Sequence, residues 1–297
     1  MAKVELALDS KCILGECPIS EASGKVHFVD INKKLIHTLD PSSDDHEIIE
    51  TPEFVGCIVP RAGKGLLAGL QHTIVHVDTM VSKLGDVVAR VPEGNAKEHF
   101  RFNDGKVDPA GRFWVGHMNL HWRDPTVAKG KLYCLDPAKK DDGLVVKLND
   151  TVLSNGLCWS SDKRSFFWVD TSLQKAYHFD YDLESGDISN QKVCVDVPED
   201  FGLPDGMTID SNDKLWIAIG ESGHVAQYDP ETGKELQRVK LPVKRPTSLE
   251  FGGKDLSELY VTTREEPGKN PSPHAGGLFR AHIPGVKGLA HSFEYAG

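Results

Sequence analysis

Apolar and polar positions alternate in short runs along most of this chain, and the runs are rich in Val, Ile, Phe, Trp and Tyr and bounded by Asp, Asn, Gly and Pro. A two-residue period bounded in this way predicts half-buried β-strands. One unit recurs: a short strand, a turn, then a second strand that ends in Asp and a turn residue. It is written as GKVHFVDINKKLIHTLDP (Gly24 to Pro41), GLLAGLQHTIVHVDT (Gly65 to Thr79) and GRFWVGHM with GKLYCLDP (Gly111 to Pro137). It returns as DKRSFFWVDTSLQKAYHFDYD (Asp162 to Asp182), DKLWIAIGESGHVAQYDPETGK (Asp213 to Lys234) and SELYVTTREE with GGLFRAHIPG (Ser257 to Gly285). A repeat of about 40 to 50 residues is the length of a four-stranded propeller blade. The expected fold is therefore all-β, a six-bladed β-propeller in which residues 1–297 form one domain.

No stretch of a dozen residues carries apolar positions at helical spacing. The one Pro/Gly-rich loop, Glu266 to Gly277, falls inside the last repeat. A propeller must close its ring or leave strand edges unpaired. The terminal segments VELALDS and AHSFEYA both read as strands and are expected to pair in a shared blade.

Radial repetition places one loop from every blade at the same end of a central channel, so residues distant in sequence can meet there. Three segments carry an oxygen-bearing side chain beside a glycine or proline turn, at the tips of predicted strands: Glu16 in LGECP, Asn155 in LSNGLCW and Asp205 in LPDGMTID. Two carboxylates and an amide suit a hard divalent cation such as Ca²⁺, Mg²⁺ or Mn²⁺. Three protein ligands leave positions open for water and substrate. Taken singly the segments say less, because Asn-Gly and Asp-Gly are turn signals in any β protein.

The formal net charge of −10 argues against a nucleic-acid surface. No apolar run is long enough for a membrane helix, and the N-terminal residues lack the apolar core of a signal peptide, so a cytoplasmic protein is expected. Six cysteines show no metal-ligand spacing and read as reduced, buried thiols, with a Cys17–Cys57 bridge left open. His72/His76 and His117/His121 are spaced four apart, a zinc spacing only on a helix, whereas these segments read as strand and loop. Asp210, Asn212 and Glu221 fall at calcium-loop positions, but Lys214 and Leu215 break that pattern and a hairpin is expected.

LGECP, RFNDGKVDPAGRFWVG, LSNGLCWS, LPDGMTIDSNDKLWIA and FGGKDLSELYVTT, with the closing GVKG and EYAG, resemble the regucalcin (senescence marker protein, gluconolactonase) family, which includes the luciferin-regenerating enzyme. The resemblance runs from about Leu14 to the C-terminus. It implies a six-bladed propeller with one divalent metal (Ca²⁺, Zn²⁺, Mn²⁺ or Mg²⁺) held by Glu16, Asn155 and Asp205, and with Asp205 as the catalytic acid/base of sugar-lactone hydrolysis. It further implies substrate contacts from Arg101 and Asn103. An extended RFN segment would point both side chains to one side. His121 stands where the resemblance leads one to expect an acidic substrate contact, which leaves substrate choice open.

The leading expectation is a metal-dependent lactonase acting on a small-molecule lactone, without nucleic-acid or membrane partners. A calcium-binding regulatory protein without turnover, and a hydrolase of a non-sugar ester or phosphotriester at the same metal, remain as alternatives. Oligomeric state is not set by the sequence, and a monomer is compatible with it.

Overall fold

The computed structural model describes residues 2–63, 65–289 and 293–297, apart from the side chain of Lys140. Six four-stranded antiparallel sheets follow one another along the chain. The two strands of each sequence repeat form the middle of one sheet, and a further strand lies on either side. The first strand of each blade faces the axis: Gly15–Ser20, Cys57–Pro60, Phe100–Val107, Ser154–Trp159, Leu203–Ile209 and Pro246–Gly252. Each packs against its two neighbours, and the last meets the first, so they make a ring. Helical structure among the described residues is limited to three short 3-10 segments, and no helix is long and apolar enough to cross a membrane.

The N- and C-terminal strands close the ring in one shared blade as expected, but the C-terminal partner lies earlier in the chain than AHSFEYA. The N-terminal strand Lys3–Leu8 pairs with Leu278–His282 and becomes the outermost strand of the sixth blade. The described residues of AHSFEYA, 293–296, are not its partner. The first three residues of that segment lie outside the described part, and Tyr295 instead bridges in parallel to Arg61 of the second blade. A lone terminal strand prefers the free edge of the last sheet, because every residue pair adds to a ladder already in place.

Aromatic and branched side chains fill the spaces between blades. Trp114, Phe166, Trp216 and Tyr260 are buried, which makes them blade core. Two indoles are tied by the same device: Trp114 Nε1 donates to Asp108 Oδ2 at 2.9 Å and Trp216 Nε1 donates to Asp210 Oδ2 at 3.0 Å. Asp210 also accepts from the amides of Asn212 and Lys214, so this segment is the expected hairpin. All six cysteines are buried free thiols, and the bridge left open between Cys17 and Cys57 is not formed.

Candidate functional site at the channel mouth

Glu16, Asn155 and Asp205, expected at strand tips, lie within the first residues of axial strands, and Asn103 lies in the extended Phe100–Val107. Pairing with the second strand of the blade is interrupted at each: between Glu16 and Ile19, Phe102 and Gly105, Ser154 and Leu157, and Pro204 and Met207. A bulge breaks the strict alternation of a strand and re-aims its side chains. Glycines follow closely, because a Cβ on Gly156 would collide with Met207 and one on Gly206 with Ser248, each on the adjacent axial strand. The bare backbone lets the strands converge where the polar side chains meet.

A hydrogen-bonded chain links the polar groups. Arg101 Nη1 donates to Asn103 Oδ1 at 2.7 Å, so the two side chains do share one side. Asn103 Nδ2 donates to Asn155 Oδ1 at 2.8 Å and to the Ser154 carbonyl at 2.8 Å. Asn155 Nδ2 donates to Thr171 Oγ1 at 2.6 Å. These contacts fix which amide atom of Asn155 is oxygen and leave one of its two lone pairs unused. Ser154 Oγ accepts from Trp168 Nε1 at 2.8 Å, a structural duty.

Buried Glu16 receives one long hydrogen bond, from the Cys17 amide at 3.4 Å. Burial pushes its carboxyl well above the usual range, and the charges of Asp205 and Asp104 push the same way, while Arg101 opposes them. Burial likewise lifts Asp205 to about 8, with Asp104 adding and Arg264 and Arg101 opposing. Arg101 is itself drawn down to about 10 by burial, against the pull of Glu16 and Asp205. A buried and a half-buried acid that resist ionising together are relieved by a cation. The donor set of two carboxylates and an oriented amide oxygen therefore fits a hard divalent ion. Among the described residues no group of three or more His, Cys, Asp or Glu side chains gathers as a metal cluster, and this set contains only two such residues.

Asp104 was missed by the sequence reading. Strand alternation would turn it away from Arg101 and Asn103, but the bulge before Gly105 brings it to the channel, where burial raises its carboxyl to about 6. It lines a cavity of about 390 Å³ that continues along the axial strands past Cys17, Leu157 and Met207. The acids and amides discussed above begin one or two residues before that cavity. Arg264 was missed as well, since nothing in VTTREE sets one of its charges apart.

His121 lies exposed in the loop 120–129, its ring 4.9 Å from that of His99. Its amide donates to Asn119 Oδ1 at 2.9 Å, and Asn119 Nδ2 donates to the Ala128 carbonyl at 3.1 Å, which pins the loop base. A cavity of about 580 Å³ lies under this loop, lined by Trp122, Arg123, Val127 and, from the fourth blade, Val152 and Ser172. His117 is buried and faces His72 rather than His121, with ring centroids 5.7 Å apart.

Residues 14–265 match the family described as the SMP-30/Gluconolactonase/LRE-like region. Regucalcin of Danio rerio is 38% identical over 300 residues, covering 99% of each chain. The luciferin-regenerating enzyme structure superposes with a TM-score of 0.90 over 100% of both chains at 28% identity. A regucalcin structure from Agrobacterium tumefaciens, 24% identical, shares the fold at a TM-score of 0.87, covering 98% of this chain and 96% of its own. The chain belongs to the SMP-30/Gluconolactonase/LRE-like family.

Proposed function

We propose that this protein is a metal-dependent hydrolase that opens small sugar lactones at the channel mouth. The observation that carries the reading is the pair of under-bonded acids, Glu16 and Asp205, set beside the linked Arg101, Asn103 and Asn155. Glu16, Asn155 and Asp205 would hold the divalent ion. When bound, such an ion supplies a Lewis acid for an ester carbonyl.

The chain's own groups account for the rest. The Arg101 fork offers donors and Asn103 Oδ1 a remaining lone pair, a combination that suits the carbonyl and hydroxyls of a sugar acid, while both Asn103 N–H groups are spent on Ser154 and Asn155. Asp205 takes a proton from the attacking water as oxygen adds to the carbonyl carbon. It returns that proton to the ring oxygen as the C–O bond breaks, so the product is the open hydroxy acid. Burial raises the basicity of its carboxylate toward the range where general acid/base catalysis works at neutral pH, while a neighbouring positive charge acts the other way. His121, exposed on the loop 120–129, would meet the far end of a substrate rather than the reacting ester.

A second reading is a calcium-binding regulator without turnover, and the Agrobacterium neighbour is described as a calcium-binding protein. One experiment separates the two: lactone opening by the wild type and Asp205→Ala with divalent ions supplied, beside calorimetry with Ca²⁺. Turnover lost in the variant with its fold retained supports the hydrolase. Calcium binding with no lactone opened by the wild type supports the regulator, and near-wild-type turnover in the variant removes the mechanism.

A further inference from the structure

Arg264 follows the strand Glu258–Thr263, and its backbone bridges to Leu14, two residues before Glu16. The preceding Thr263 carbonyl lies so near Gly15 that a Cβ there would meet it at 2.7 Å. The guanidinium is therefore rooted beside the strand that carries Glu16, and its charge is felt by both Glu16 and Asp205.

Its neighbour Arg245 is committed elsewhere: Nε donates to Glu221 Oε1 at 2.8 Å and Nη1 to the Glu265 carbonyl at 3.0 Å. Arg264 differs. Its Nε is buried and has no hydrogen-bond partner among the described residues. The side chain is half-buried and forms no hydrogen bond or ion pair among the described residues, so the guanidinium has donors left for water or for an anionic ligand. A guanidinium fork matches carboxylate and phosphate geometry, whereas a neutral sugar hydroxyl leaves its charge unanswered.

We propose that Arg264 selects for lactones bearing a second, anionic group, a carboxylate or phosphate held away from the ring ester. This rests on the lactone-opening reading of the same site. The test compares kcat/KM for gluconolactone with that for glucarolactone, which adds a free carboxylate, and for the phosphorylated gluconolactone. It uses the metal-supplied wild type, Arg264→Met and Arg264→Gln, the second serving if the first does not accumulate as folded protein. The wild type is expected to favour at least one charged lactone by about tenfold or more, the scale of a charged hydrogen bond. The preferred lactone identifies the group, and either variant collapses the preference. No preference in the wild type, or a preference that survives both substitutions, overturns the proposal.

If the wild type opens none of the three, the lactone reading fails, and calorimetry decides the role of Arg264 by itself. Tighter binding of glucarate than gluconate, lost in the variants, supports an anion seat. Equal binding refutes it.

Discussion

Asp205 carries most of the chemistry assigned to one side chain, and its environment sets a pH signature. The carboxyl is raised from 3.8 to about 8 by burial. A raised carboxyl binds a proton in the folded state that the unfolded chain has released, so the stability it contributes is greatest below pH 3.8 and is lost as pH rises toward about 8. In metal-free protein the thermal midpoint of Asp205→Asn should therefore gain on that of the wild type across this window. Parallel midpoints in a pH series would show that Asp205 is not held in this way. Turnover in the same variant should fall by about 100-fold or more, since a positioned acid/base contributes about 10² to 10⁴. Steady-state kinetics with divalent ion present reads this directly.

Residue identity was the most legible level of the candidate site. Glu16, Asn155 and Asp205 could be named because each stands beside a glycine or proline turn between strand-like runs, whereas Arg101 and Asn103 entered through the family resemblance. Asp104 and Arg264 could not be named. Asp104 depends on a bulge that no local pattern announces, and Arg264 on an unmet donor that only the packing of the sixth blade against the first creates.

The axial strands put these groups together through bulges and bare backbone. Gly206 touches Ser248 so closely that Gly206→Ala should strain the strand carrying Asp205, at a cost of about 1 to 3 kcal/mol in denaturant titrations. Adding Ser248→Gly should restore part of that loss, because the clash involves the serine side chain as well as its Cα. Additive losses in the double variant would mean that the two strands do not constrain each other. The strand count was readable because two-residue alternation repeats six times. The position of the site on the strands was not, since Asn-Gly and Asp-Gly pairs look alike in a tip and in a bulge.

Ring closure belongs to the whole molecule. Lys3–Leu8 covers the edge of Leu278–His282, and its removal exposes that edge and five registered residue pairs. Deleting residues 1–8 should lower stability by about 3 to 5 kcal/mol, on the basis of roughly 1 kcal/mol per lost hydrogen bond, and should promote edge-to-edge association. Denaturation and light scattering check both, and an unchanged midpoint would place the closure elsewhere. That the terminal strands close the ring was legible, whereas the C-terminal segment that pairs was not, because two strand-like stretches give no sign of which edge each will find. The propeller itself was legible, because its period is global.

The central claim is that residues 16, 155 and 205, distant in sequence, share one divalent ion at the channel mouth. Anomalous diffraction from crystals grown with Mn²⁺ tests it most directly. The account predicts one strong peak at about 2.0 to 2.6 Å from a side-chain oxygen of each of Glu16, Asn155 and Asp205. A map with no peak there, or with the ion bound at other residues, would contradict it.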